Sequence, residues 1–126
     1  FALGASAVQL GTAYLHCPES AISAAHRALL GSGEPTVLTN LLTGGLARGF
    51  AGRAVRELGP VRPEAPPYPL AAIALAPIRA AAETQGEYGF GPLWAGQAAA
   101  LGEPLPAAEL TRKLAAEALA LLNPQA

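Results

Sequence analysis

The chain has 126 residues, 52% of them hydrophobic and 13% charged, with a formal net charge of −1. Its acids are all Glu, and it carries one Lys and one Cys. It therefore has neither the basic stripe that nucleic-acid binding needs nor an internal disulfide framework. No apolar stretch approaches the ~20 residues of a membrane span without Gly, Pro or a charge breaking it. In chain order, residues 1–3 read as a helix end, with Gly4 as the stop residue. Ala7 to Leu10 read as a short buried strand, because small and branched apolar residues suit a strand covered on both faces. Gly11-Thr12 is then a turn opening a new helix or turn at 13–15.

Pro18 and Glu19 suit a first helical turn, so a helix is predicted over about 19–30, with Ile22, Ala25, Leu29 and Leu30 on its apolar face. TVLTNLLT at 36–43, two glycines and Leu46 to Phe50 predict a hairpin; imperfect alternation leaves an irregular extended lobe as the alternative. A short helix is expected over 51–58. The five prolines of 59–69 mark a loop. A helix follows over 70–84, with Pro77 expected to kink or interrupt it. Residues 86–91 are a loop, and Leu93 to Gln97 lead into a small-residue helix ending near Gly102. A last amphipathic helix spans 107–122, with Leu110, Leu114, Ala118 and Leu121 on one face.

The absence of Met, and a start already in mid-pattern with no signal-peptide leader, lead us to expect the C-terminal part of a longer protein. One Cys fits a cytoplasmic location.

Chemistry centres on Gln9-Leu10-Gly11-Thr12. A strand-to-helix turn exposes free N–H groups, Gly permits close approach, Thr adds a hydroxyl, and Gln9 can present its amide. Strand-Gly-Thr-helix also occurs as plain turn chemistry, so the step alone is not decisive. His16 and Cys17 are sequence neighbours without a third ligand near, so no metal or nucleophile is assigned to them, and Cys17 reads as a small buried residue. His16 and His26 read as structural, and Arg53 and Arg56 as a solvated face. No catalytic residue is assigned.

Five stretches, LGASAVQLGTAYL at 3–15, CPES at 17–20, TVLTNLLTGGLARG at 36–49, YPL at 68–70 and LWAGQAAAL at 93–101, resemble the C-terminal third of the nitronate monooxygenase family, formerly 2-nitropropane dioxygenases, in that family's order and approximate spacing. The resemblance implies an α/β fold: the last strand-helix unit of an FMN-binding TIM barrel at 1–30, and a mainly helical extension with a hairpin at 31–126 packing on it. It implies FMN as cofactor, with Gln9, Leu10, Gly11 and Thr12 at the flavin phosphate. The partner Gly-Gly turn and the catalytic His would lie upstream. Trp94-Ala95-Gly96-Gln97 is a family block placed at the flavin mouth, with Gln97 as a polar contact; the bland reading makes Trp94 core and Gly96 a packing residue. Where relatives often read TGRPAR, this chain has Gly45 and Leu46 before Ala47 and Arg48, so Arg48 either holds an anion or anchors the loop.

The implied reaction is FMN-dependent oxidation of alkyl nitronates with O2. Two alternatives stand beside it: a nicotinamide-dependent reductase of quinones or enoyl thioesters on the same fold, and a non-enzymatic helical interaction module.

Overall fold

The computed structural model describes residues 1 and 3–122. Its elements are α1 (Thr12–Leu15), α2 (Ala24–Leu30), β1 (Thr36–Thr39), β2 (Ala47–Phe50), α3 (Arg53–Leu58), α4 (Leu70–Glu83), a 3-10 turn (Ala99–Leu101) and α5 (Ala107–Leu122). Ala2, inside the expected helix end at 1–3, lies outside the described residues.

The expected strand at 7–10 is absent. Residues 7–11 run as exposed coil without a ladder. A strand exists only where its N–H and C=O groups find a partner, and among the described residues nothing pairs with this segment. The helix expected from residue 19 begins at Ala24 instead. Ser23 supplies the reason: its Oγ accepts from the His26 N–H at 3.1 Å, an N-cap that Pro18 and Glu19 could not displace.

β1 and β2 form an antiparallel hairpin in which Thr36 faces Phe50 and Thr39 faces Ala47. Its strands are shorter than expected, because residues 41–45 close the hairpin as turns. Arg48 Nη1 donates to the Thr36 carbonyl at 3.0 Å, so the arginine anchors the loop, as one of its two readings had it. The outer edge of β2 is also occupied. Trp94 bridges Gly49, Phe50 N–H donates to the Leu93 carbonyl at 2.9 Å, and Ala95 N–H to Arg48 at 3.2 Å. A Cβ on Gly49 would stand 2.7 Å from the Leu93 carbonyl, so this close approach requires glycine.

The turn after β1 is tied to the proline-rich loop. Asn40 Nδ2 donates to the Arg62 carbonyl at 2.7 Å, and Arg62 N–H returns to Asn40 Oδ1 at 2.9 Å. α4 runs through Pro77 without interruption. Proline removes the donor to the carbonyl of Ile73, and Ile73 is two-thirds exposed, so water reaches the freed group. Of α4, only Ala71 is buried. The small-residue helix expected before Gly102 is one 3-10 turn. α5 keeps its expected bounds, with Leu110 buried and Leu121 exposed. Among the described residues, no helix is long and apolar enough to cross a membrane.

The core gathers Leu30, Phe50, Leu93, Ala95 and Ala99, with Leu15, Ile22 and Leu29 packed against it. Residues before and after position 31 thus share one apolar cluster. His26 lies at its edge, buried, with its ring edge-on to Phe50. Its Nε2 donates to the Trp94 carbonyl at 3.0 Å, which stitches α2 to the segment covering β2. Cys17 is also buried, as a small core residue.

Burial lowers the His26 pKa, and the bond to Trp94 opposes that only in part. A histidine whose folded pKa is lowered is stable as the neutral ring above its ordinary value of 6.5. Below that value the unfolded chain takes up protons that the folded chain refuses, so stability falls with pH. We expect the thermal midpoint to decline as pH drops from 6.5 toward the lowered value. His26→Gln keeps an amide donor in the place of Nε2 without titrating, and should flatten that slope. Equal slopes in the two proteins would remove His26 as the cause.

Candidate functional site

The site forms where α1 and the residues just before it meet the segment that follows the Gly49–Trp94 bridge. Gln9, Leu10, Gly11, Thr12 and Ala13 make one wall of an open groove of about 450 Å³; Gly96, Gln97, Ala98, Ala99, Leu101 and Gly102 make the other. Among the described residues, no charged side chain lines it. All the sequence-predicted site residues, Gln9, Leu10, Gly11, Thr12 and Gln97, are therefore brought to one place. Trp94, from the same block as Gln97, is half-buried and contributes to a smaller neighbouring hollow with Gly11, Thr12 and Arg48. A larger cavity of about 570 Å³ lies elsewhere, between α2, Phe50 and the 86–89 loop; its lining is mainly apolar, and it contains none of those five residues.

The two walls are joined directly. Gly96 N–H donates to Thr12 Oγ1 at 2.8 Å, which leaves the Thr12 hydroxyl proton to donate elsewhere. Among the described residues, the N–H groups of Gly11, Thr12 and Ala13 have no backbone or side-chain acceptor. Gly11 has φ −109 and ψ −66, and a Cβ there would meet nothing within 4 Å. Neither backbone strain nor crowding demands glycine at this position. Its absent side chain leaves open space over a row of free donors.

Contacts that sequence reasoning missed hold this wall in place. Arg27 Nη1 donates to the carbonyls of Leu15, His16 and Cys17 at 3.2 Å each, and Nη2 donates to Ser20 at 2.7 Å. One guanidinium thus satisfies the end of α1 and the turn after it. Thr111 Oγ1 donates to Ala107 at 2.8 Å, so Tyr14 O–H is the donor in its 2.8 Å bond to Thr111 Oγ1. Glu19 Oε1 accepts from Ala107 N–H at 3.0 Å and caps α5. His16, read as structural, donates from Nε2 to the Ala99 carbonyl at 2.8 Å. Long-range partners of this kind have no signature in local sequence.

Residues 1–117 match the family model described as nitronate monooxygenase. The chain belongs to the nitronate monooxygenase family. It is 48% identical over 120 residues to a nitronate monooxygenase of Paraburkholderia phytofirmans, covering 92% of this chain and 32% of that protein. A nitronate monooxygenase of Pseudomonas aeruginosa is 44% identical over 118 residues, covering 91% of this chain and 34% of the relative. Among solved structures, the nitroalkane oxidase of Streptomyces ansochromogenes superposes with a TM-score of 0.79 at 40% identity, over 92% of this chain and 34% of that one. The chain spans about a third of the length of the relatives it matches. The nitronate monooxygenase match runs across both walls of the groove and the hairpin that supports them.

Proposed function

We propose that this chain supplies the phosphate-binding part of an FMN-dependent oxidoreductase that oxidises alkyl nitronates with O2. One observation carries the reading: two sequence blocks 84 positions apart meet across one groove through the Thr12–Gly96 bond, within a chain of the nitronate monooxygenase family. The donor set suits a phosphate. Gly11, Thr12 and Ala13, whose N–H groups are free among the described residues, line the groove together with Gln97, and no carboxylate among the described residues lines it to repel an anion. In this reading residues 1–30 are the last strand-helix unit of a TIM barrel, and residues 31–126 pack on it. A barrel fold commonly places phosphate at its last loops, and residues 7–10 would become a strand once neighbours supply the ladder.

When bound, the flavin supplies the redox chemistry and O2 takes the electrons. The residues of this chain bind and orient. Gly11, Thr12 and Ala13 would hold the phosphate through backbone N–H groups, Thr12 would add its hydroxyl proton, and Gln97 would contact a polar edge of the flavin. The group that would take the carbon-bound proton of a neutral nitroalkane, or orient the nitronate, is assigned to no residue here; it would come from the length of the relatives that this chain does not span. The same residues would serve a reductase of quinones or enoyl thioesters equally well. Nitronate oxidation is preferred because the matched relatives carry that name.

Gly11→Val tests the reading. The side chain enters open space, so thermal stability should stay within about 0.5 kcal/mol of the parent. FMN affinity, followed by flavin fluorescence, should fall at least about tenfold, or about 1.4 kcal/mol. Riboflavin, which lacks the phosphate, should lose little. Equal FMN affinity in parent and variant would sink the assignment of this groove.

A further inference from the structure

We propose that His16 and Gly102 form a latch that sets the spacing between the two walls of the groove, which makes His16 a positioning residue for the phosphate. Only the identity of the ligand rests on the flavin reading; the latch is a property of the groove itself.

Two bonds tie the walls. Thr12 Oγ1 holds Gly96 at one end, and His16 Nε2 holds the Ala99 carbonyl at the other. Between them lie Gln97 and Ala98, two of the residues that line the groove. Ala99 is itself 4% exposed and belongs to the apolar core, so His16 grips the second wall at its anchored base. The His16 backbone is held in turn, because its carbonyl accepts from Arg27 Nη1 at 3.2 Å.

Gly102 completes the device. Its backbone, φ −70 and ψ 152, is open to any residue, so conformation does not explain the glycine. Space does: a Cβ at position 102 would fall inside the His16 ring, against Cδ2 and Nε2. The ring therefore occupies the volume that a side chain at 102 would need. Nε2 must be protonated, since its acceptor is a carbonyl, and that same atom lies against Gly102. Moving either partner moves the wall that carries Gln97 and weakens the hold of Thr12 on Gly96.

The test combines variants of the 126-residue chain with two readouts. The first is amide hydrogen exchange without ligand. His16→Leu removes the donor at similar bulk and should speed exchange at Gly96, Ala99 and Gly102 about tenfold, while Phe50 and Ala54, bonded to Leu93 and Gly89, change little. His16→Gln places an amide donor where Nε2 was and should restore protection. Gly102→Ala should be as disruptive as His16→Ala, yet add nothing in the His16→Ala, Gly102→Ala double variant, because the ring it would strike is gone. Uniform acceleration across the chain, or additive effects of the two substitutions, overturns the latch. The second readout is the ratio of FMN to riboflavin affinity, which His16→Leu should lower about tenfold and His16→Gln should keep. A parent chain with no preference for FMN refutes the flavin reading while exchange still decides the latch. A parent preference that survives His16→Leu refutes His16 as a positioning residue.

Discussion

Arg27→Ala lowers the thermal midpoint of the chain by roughly 10 °C, the expected result of removing one side chain that bonds four carbonyls. Hydrogen bonds to charged groups contribute roughly 1.5–3 kcal/mol each. The four bonds of Arg27 share one guanidinium and do not add, so about 3 kcal/mol is the reasonable net loss. For a domain of this size that amounts to about 10 °C in a thermal melt followed by circular dichroism. The mechanism is specific. The carbonyls of Leu15, His16 and Cys17 end a helix of four residues, too short to hold itself together. Without the guanidinium, the turn that carries Gly11 and Thr12 has lost its base. Arg27→Lys should recover less than half of the loss, because one ammonium cannot span carbonyls that a planar fork reaches on two nitrogens. A shift below about 2 °C for Arg27→Ala would mean that water replaces all four bonds, and the clamp would have to be abandoned.

Gly44→Ala should cost as much, through different physics. Gly44 has φ +90, a conformation that costs an L-residue roughly 1–2 kcal/mol. Its missing Cβ also faces backbone: the Pro66 carbonyl oxygen and the Tyr68 nitrogen occupy the place where the methyl would go. Backbone cannot rotate aside, so overpacking adds roughly another 1–3 kcal/mol. We expect a loss of about 3 kcal/mol in urea unfolding, together with faster exchange of the Arg62 amide as the Asn40–Arg62 pair opens. The neighbouring glycine is an internal control. Gly45 has no positive φ, and the nearest atoms a Cβ there would meet are in the Tyr68 side chain, at 3.6 Å, an ordinary van der Waals contact. Gly45→Ala should be neutral within about 0.5 kcal/mol. Equal costs at the two positions would show that the close approach of the proline loop does not constrain the turn.

These two residues also show what sequence reading can reach. The Gly44-Gly45 pair was legible as a turn, because glycine between apolar β-branched runs has a local meaning. Which of the two carries the constraint was not, since that depends on a loop more than twenty residues away. The helix over about 107–122 was legible because its apolar positions recur at helical spacing. The start of α2 was misplaced by five residues because Pro18 and Glu19 mimic a first turn, while the true cap, Ser23, bonds three residues on. The strand at 7–10 failed for a deeper reason. Composition marks a segment as suited to a sheet, but only neighbours make it one, and here they are lacking among the described residues. Of the candidate groove, the residues Gln9 to Thr12 and Gln97 were all named from sequence. What tethers them was not: Arg27, His16 with Gly102, and Tyr14 with Thr111 act through partners that no local pattern announces.

The ties that assemble the groove join residues 83, 84 and 97 positions apart. Closing segments of such length precedes any reward from the contacts, so structures built on them form slowly. On a ribosome, Gln9 to Thr12 would emerge well ahead of Gly96, Ala99 and Thr111 and wait for them. The hairpin, whose strands lie close in sequence, can form while that wait continues. The groove therefore matures after the hairpin during synthesis, and a chain interrupted before residue 111 would carry a complete hairpin beside an α1 lacking its α5 support.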